Sequence, residues 1–148
     1  MKDSRRRFSV EEYEERKLKV LTAMTRQQLD LLVITDPASM CWLTGYDAWS
    51  FYVHQCVALS SHGDLIWFGR GMDVAGAQIT TDLPAGAMFV YPDECVQSVD
   101  QHPMQYLADI VINSNDPSLP MFPAVLSFSS SGMVSAHTAS ASAVICTV

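Results

Sequence analysis

The sequence predicts an α/β domain, in which a mixed β-sheet of about five strands is flanked by helices, followed by an irregular carboxy-terminal tail. Three observations lead to this fold class. A well-signalled amphipathic helix opens the chain, short β-branched apolar runs separated by turn residues follow it, and every charged side chain lies at or before Asp116. With 148 residues, of which 49% are hydrophobic, the chain is long enough for one packed domain.

The first predicted element is a helix over residues 10–28. Ser9 and Glu12 have the spacing of a capping box, and Phe8 and Tyr13 stand where a hydrophobic staple places its two apolar residues. Apolar residues then recur at helical spacing, with acidic and basic residues between them. We therefore expect one buried helix face and one solvated face.

Short apolar runs bounded by turn residues predict the strands. These runs are residues 29–36 (LDLLVITD), 39–46 (SMCWLTGY), 54–61 (HQCVALSS), 64–69 (DLIWFG) and 87–93 (AMFVYPD). A His-Gly turn joins the third run to the fourth, which predicts a hairpin. Two further helices are expected, one capped by Asp73 and reaching Ile79, the other opened by His102-Pro103.

The last part of the chain differs in composition from the rest. Residues 117–148 contain no Asp, Glu, Lys or Arg, and they show no sustained period of 2 or 3.6. We therefore place a boundary after residue 112, with a folded domain at 1–112 and an irregular, uncharged Ser/Ala/Pro-containing tail at 113–148. The tail fits either a natural apolar segment that docks on a partner or sequence from outside the original reading frame or exon.

The charge distribution excludes some partners and indicates a compartment. The net charge is −7, and seven of the nine Lys and Arg residues precede residue 20, so the body of the domain is acidic. Nucleic acid and anionic membranes require a basic face, and neither is expected as a partner. The basic run at Arg5–Arg7 is followed by acidic rather than apolar residues, so we expect no export signal and a cytoplasmic protein with reduced thiols.

The sequence shows no motif for catalysis, a metal or a cofactor. Gly-x-Ser-x-Gly, His-Glu-x-x-His and phosphate-binding glycine patterns are not present, and the cysteines form no Cys-x-x-Cys pair. Single Asp residues fall mostly at turns and helix starts, where they bond to the backbone. Cys56 lies two residues from His54, but this spacing alone does not bring a thiol onto a base, so we interpret the pair as structural. We therefore expect no cofactor, no metal and no catalytic residue in this chain.

The segment LTGYDAWSFYVHQC, residues 43–56, concentrates aromatic side chains beside a histidine. If residues 50–58 form a strand, Tyr52 and His54 share one face, with Trp49 at the entrance of the strand. The opposite face can enter the core and carries Phe51, Val53 and Val57. The Tyr52 face fits either a half-exposed sheet surface under a helix or a recognition surface, because aromatic faces hold cations and histidine adds a polar group near neutral pH.

Several of these segments resemble a known family. The stretches TDPASMCWLTGYDAWSFYVHQCVAL, WFGRGMDVAGAQITT, YPDECVQS and HPMQYLADI are similar to the amino-terminal domain of the creatinase and prolidase superfamily, and within it to ectoine hydrolases. The resemblance covers residues 8–111. It implies a non-catalytic α/β domain that precedes a pita-bread catalytic domain, in a homodimer where the amino-terminal domain of one subunit reaches over the pocket of the other.

The resemblance also implies a role for the aromatic segment. In creatinase an aromatic residue and an Arg two places later help to hold the substrate, and their positions correspond to Tyr52 and His54. Trp49, Tyr52 and His54 are therefore expected to bind substrate as part of a lid over a small zwitterionic molecule. His in place of Arg argues against creatine as that molecule. Arg70 either contacts a substrate carboxylate or pairs with Asp73.

The function expected from the sequence is thus that of a substrate-lid and dimerisation domain. The parent enzyme would hydrolyse a C–N bond of a cyclic amidine, and this chain, expected to be a truncated product that lacks the pita-bread domain, would be inactive alone. One alternative is a stand-alone binding or dimerisation module. Another is the amino-terminal domain of a metallopeptidase that resembles prolidase or aminopeptidase P.

Overall fold

The structure, a computed structural model, describes residues 7–47, 50 and 52–112, together with three strands further along the chain. The helices are α1 (Val10–Gln27), α2 (Pro37–Thr44), α3 (Val74–Thr80) and α4 (Pro103–Ile112). The strands are β1 (Leu31–Ile34), β2 (Cys56–Ser60), β3 (Leu65–Arg70), β4 (Met88–Tyr91), β5 (Ser127–Phe128), β6 (Val134–Ser135) and β7 (Ala143–Cys146).

Five of these strands form one mixed sheet in the order β4-β3-β2-β1-β7. The predicted hairpin is confirmed, since β2 and β3 pair antiparallel, and Gly63 in the turn between them has φ 92°. The pairs β3/β4 and β1/β7 are parallel. The predicted fold class, a mixed sheet of about five strands flanked by helices, is confirmed.

Helices cover both faces of the sheet, as the burial of the strand residues requires. On one face α4 places Leu107 and Ala108, both fully buried, against Ala58 and Phe68. On the other face residues from α1, α2 and α3 surround the fully buried Trp67. Every residue of β2 is buried, as expected of a strand at the centre of a sheet that is covered on both sides.

The start of α1 is the one that the sequence predicts. The Ser9 hydroxyl accepts a hydrogen bond from the Glu12 N–H at 3.3 Å, and the Phe8 and Tyr13 rings meet edge to face at 6.1 Å. The Glu12 side chain does not complete the capping box but accepts a hydrogen bond from Arg16. The helix ends at Gln27, one residue before the predicted end.

The second predicted strand is wrong, because residues 37–44 form α2. The Asp36 carboxylate accepts hydrogen bonds from the N–H and hydroxyl of Ser39 at 2.8 and 2.6 Å, and Pro37 occupies the first turn. Gly45 ends the helix in the left-handed conformation at φ 81°. These start and stop signals outweigh the apolar run between them.

The prediction of an irregular tail is also wrong at residues 143–146. This segment is β7, which pairs parallel with β1 from Leu31↔Ala143 to Ile34↔Cys146. The fifth strand of the sheet therefore comes from the tail instead of from residues 39–46. Apart from the two-residue strands β5 and β6, the rest of the tail lies outside the described residues, and the boundary after residue 112 stays a prediction.

Gly45 lies where the three helices on the Trp67 face come together. A Cβ atom there would lie 2.9 Å from both the Thr80 carbonyl oxygen and the Tyr13 hydroxyl oxygen. Tyr13 belongs to α1 and Thr80 ends α3, while Gly45 itself follows α2. Only the hydrogen atom of a glycine fits this contact, and the positive φ favours glycine independently.

Candidate functional site

Hydrogen-bonding and aromatic side chains gather at one end of the sheet. Strand β3 ends at Arg70 beside Tyr91, the last residue of β4, and Cys56 at the start of β2 lies opposite Phe68. The segment that precedes β2 therefore reaches the same end. We call the following residues the polar end: Ser50, Tyr52, His54, Arg70, Asp73, Tyr91 and His102.

Tyr52 and His54 are both exposed at the polar end, and the Tyr52 side chain is 63% accessible. Val53 and Gln55, which alternate with them, are 8% and 5% exposed. The predicted alternation is thus present, although β2 begins only at Cys56 and residues 52–55 form no strand. Trp49, the third predicted site residue, lies outside the described residues, as does Phe51.

His54 is held on two sides. Its backbone carbonyl accepts a hydrogen bond from the Tyr91 hydroxyl at 2.8 Å, and its ring meets the His102 ring edge to face, with centroids 4.4 Å apart. Partial burial, and then the neighbouring His102, lower the pKa of His54. His54 is therefore a neutral imidazole at pH 7, able to donate one hydrogen bond and accept another.

His102 also stabilises α4. Its Nδ1 atom accepts a hydrogen bond from the Met104 N–H at 3.2 Å, so this nitrogen carries no proton. The predicted start of α4 at His102-Pro103 is thereby confirmed. The bond occupies the Nδ1 lone pair and leaves the Nε2–H of His102 as a donor.

A second hydrogen-bond network, formed by Ser50, Arg70 and Asp73, supports the segment that precedes β2. Arg70 Nε lies 3.2 Å from Asp73 Oδ2, so Arg70 pairs with Asp73, one of the two arrangements that the sequence allowed. The Ser50 hydroxyl donates to Asp73 Oδ1 at 2.8 Å and accepts from Arg70 Nη2 at 3.3 Å. The guanidinium carbon lies 5.8 Å from the centroid of the Tyr52 ring. Hydrogen bonding to Asp73, and then to Tyr52, raises the pKa of Arg70.

Three buried titratable groups nearby are uncharged at neutral pH. Burial raises the pKa of Tyr46, Cys56 and Tyr91 to about 12. The Cys56 thiol is fully buried, which agrees with a structural role for the His54/Cys56 pair. Among the described residues, no three or more His, Cys, Asp or Glu side chains gather as a metal site would require.

A cavity of about 560 Å³ lies at the opposite end of the sheet. Its walls include Leu43 and Thr44 of α2, the Gly63 turn and the start of α1. Two of its charged side chains, Glu14 and Lys17, form an ion pair at 2.9 Å. This cavity shares no residue with the polar end.

Sequence reasoning identified Tyr52, His54, Arg70 and Asp73 but not the residues that hold them. Ser50 and Tyr91 carried no signal for this role, since neither belongs to a sequence motif for binding or catalysis. The pairing of Arg70 with Tyr91 in adjacent parallel strands brings Tyr91 to this end of the sheet. Only the order of the strands could have revealed that contact.

The described part of the chain shows no helix with the length and apolar composition needed to cross a membrane.

A family profile described as the creatinase/prolidase N-terminal domain matches residues 16–144. Ectoine hydrolase of Halomonas elongata is 50% identical over 105 residues, which cover 71% of this chain and 26% of that protein. An uncharacterised hydrolase/peptidase of Sinorhizobium fredii is 42% identical over 106 residues, which cover 71% of this chain and 27% of that protein.

Solved structures agree with the fold. A proline dipeptidase of Streptococcus agalactiae superimposes with a TM-score of 0.54 at 22% identity, over 75% of this chain and 71% of that chain. The chain spans about a quarter of the length of the two curated relatives. Together these matches confirm the resemblance that the sequence motifs predicted.

Proposed function

The chain belongs to the creatinase/prolidase N-terminal domain family, and from this premise we propose that it is the substrate-lid and dimerisation domain of an ectoine-hydrolase-like enzyme. The parent enzyme would open a cyclic amidine by hydrolysing a C–N bond. Trp49, Tyr52 and His54 would form part of the wall over a small zwitterionic substrate in the catalytic domain of the neighbouring subunit. A homodimer and a cytoplasmic location are parts of the same proposal.

One structural observation carries the lid role. Tyr52 and His54 present an aromatic ring and a neutral imidazole to solvent from a backbone that Tyr91 and the Ser50 network hold in place. An aromatic face suits a delocalised cation such as an amidinium, and imidazole offers a directional hydrogen bond. An exposed ring on a fixed segment binds with less loss of conformational freedom than one on a free loop.

The groups that transfer protons would come from the catalytic domain. Burial raises the pKa of three neighbouring groups, Tyr46, Cys56 and Tyr91, to about 12, too far from neutral pH for general acid or base catalysis. This chain would supply shape, orientation and exclusion of water. We therefore expect no ectoine hydrolysis by the 148-residue chain alone.

A domain exchange tests the proposal. The matched 105-residue stretch of the Halomonas elongata enzyme is replaced with residues 8–112 of this chain, and ectoine hydrolysis is measured. We expect an active chimera in which Tyr52→Ala raises KM by about tenfold or more, since removal of a packed aromatic ring loses about 1.5–3 kcal/mol. The matched control is Leu18→Ala, which removes an apolar side chain of similar exposure, 60%, from α1.

Two results would contradict the lid role. One is an active chimera in which Tyr52→Ala and His54→Ala leave KM unchanged. The other is saturable ectoine binding by the 148-residue chain as a defined oligomer in sizing chromatography, which would favour the stand-alone binding module.

A further inference from the structure

The contacts of Asp73 differ from those usual for its position. Asp73 stands at the N-cap of α3, where an aspartate ordinarily accepts a hydrogen bond from a backbone N–H of the first turn. It makes no such bond. Both of its carboxylate oxygens point to side chains instead, Oδ1 to Ser50 and Oδ2 to Arg70.

We infer that Asp73 is a positioning residue, which fixes Ser50 and Arg70 and thereby sets the place of the exposed Tyr52 ring. Arg70 reaches Tyr52 through the cation–π contact at 5.8 Å and Ser50 through the hydrogen bond at 3.3 Å. The three residues close a triangle of hydrogen bonds under the segment. The effect of this positioning on substrate binding rests on the proposed function.

Burial makes the triangle an effective support. The side chains of Arg70 and Asp73 are 13% and 12% exposed, and Ser50 is fully buried. Water therefore competes weakly for these hydrogen bonds, and charged partners strengthen them. Removal of the carboxylate leaves a nearly buried guanidinium without its counter-ion, which favours movement of Arg70 toward solvent.

The segment also needs such a support. Among the described residues, no strand pairs with residues 52–55, which precede β2. The contacts that anchor their backbone include Val53 N–H to the Ser50 carbonyl at 3.2 Å and the Tyr91 hydroxyl to the His54 carbonyl at 2.8 Å. The Val53–Ser50 hydrogen bond depends on the position of Ser50, and the hydrogen bond to Asp73 fixes that position.

Hydrogen–deuterium exchange in the 148-residue chain tests the inference. Asp73→Asn should speed amide exchange at residues 52–55 by about tenfold or more, the effect of losing a hydrogen bond to a charged group. Ser50→Ala should give a smaller increase in exchange rate. The double variant should exchange at about the rate of Asp73→Asn alone, because the two residues act through one network. Glu14→Gln is the control, since it breaks the ion pair with Lys17 on α1.

The pattern of exchange separates positioning from general destabilisation. An increase confined to residues 52–55, with β2 and β3 unchanged, supports the inference. An unchanged rate at 52–55, or an equal increase throughout β2 and β3, overturns it. If Asp73→Asn does not fold, Ser50→Ala decides by the same criteria.

The kinetic measurement uses the chimera. Asp73→Asn should raise KM for ectoine while kcat changes less than about twofold, because the variant disturbs binding surface and not reacting groups. An unchanged KM in an active chimera would overturn the role in substrate binding. An inactive chimera would count against the proposed function, while the exchange result on the 148-residue chain would still decide the positioning role.

Discussion

The middle of the sheet and its polar end hold aromatic rings in place by different means. Trp67, in the middle of β3, is fully buried and occupies the space that Gly69 leaves open, since a Cβ at residue 69 would lie 2.5 Å from the indole Cζ2. Tyr52 at the polar end is 63% exposed and is supported by Arg70. Close packing holds the Trp67 ring in place, whereas the hydrogen-bonded guanidinium of Arg70 supports the Tyr52 ring.

This difference separates groups that determine global stability from groups that determine local order. Close-packed interiors respond strongly to a change of one methyl group, whereas an exposed ring adds little to the free energy of unfolding. A substitution near Trp67 should therefore alter stability, and a substitution under Tyr52 should alter local order. The following predictions test that separation in order of decreasing effect.

The largest effect is expected at Gly69. Gly69→Ala places a methyl group against Trp67, which the Tyr46 ring confines edge to face at 5.6 Å. We expect the free energy of unfolding to fall by about 2–3 kcal/mol, the usual effect of overpacking a core. Urea unfolding followed by tryptophan fluorescence measures it.

The control is Gly76→Ala in α3, where an added Cβ meets no atom within 4 Å. That variant should gain up to about 1 kcal/mol from helix propensity. Equal losses in the two variants would show that Trp67 is not held by the space at Gly69.

A smaller effect is expected where the two regions meet. The Tyr46 hydroxyl donates to Gln55 Oε1 at 2.7 Å, and both side chains are buried. Tyr46→Phe leaves the amide oxygen without this donor, so the free energy of unfolding should fall by about 1–2 kcal/mol. Tyr52→Phe removes a hydroxyl from an exposed ring, where water screens its interaction with Arg70, and should change the free energy of unfolding by less than about 0.5 kcal/mol. A reversed order of the two losses would contradict the separation.

The smallest effect concerns pH. The folded pKa of His54 lies below its ordinary value of 6.5, so the unfolded chain binds more protons as the solution is acidified. The contribution of His54 to stability is present above pH 6.5 and is lost as the pH falls below that value. His54→Gln should therefore reduce the drop in Tm between pH 7.5 and 5.0 by about 1–3 °C.

Differential scanning calorimetry measures this drop in both proteins. His62→Gln, at an exposed position in the β2–β3 turn, is the control. A Tm drop that is the same in the wild type and in His54→Gln would show that burial beside His102 does not affect the proton equilibrium of His54.

Short sequence patterns correctly predicted the structural features that depend on residues close together in the chain. The start of α1 at Ser9, the Gly63 hairpin and the alternation of Tyr52 with Val53 all follow from short-range patterns, and all appear in the structure. The prediction failed at residues 39–46 because a short apolar run fits a buried strand and a buried helix equally well. The Asp36 cap and the Gly45 stop decide for the helix.

Other features depend on residues far apart in the chain. Parallel pairing of β7 with β1, and of Tyr91 with Arg70, is set by the order of strands, which no short window contains. The Ser50–Asp73 hydrogen bond likewise joins two residues that lie 23 positions apart in the chain. The sequence could therefore predict the exposed residues of the candidate site and, as one of two arrangements, the Arg70–Asp73 pair, but not the contacts of Ser50 and Tyr91 that support them.

Gly45 links the helical layer to the aromatic segment. Because only hydrogen fits between Tyr13 and Thr80, contacts from α1 and α3 fix the point at which the chain leaves α2. A methyl group at residue 45 would push these contacts apart, so we expect Gly45→Ala to disturb the packing of all three helices on this face and not of α2 alone.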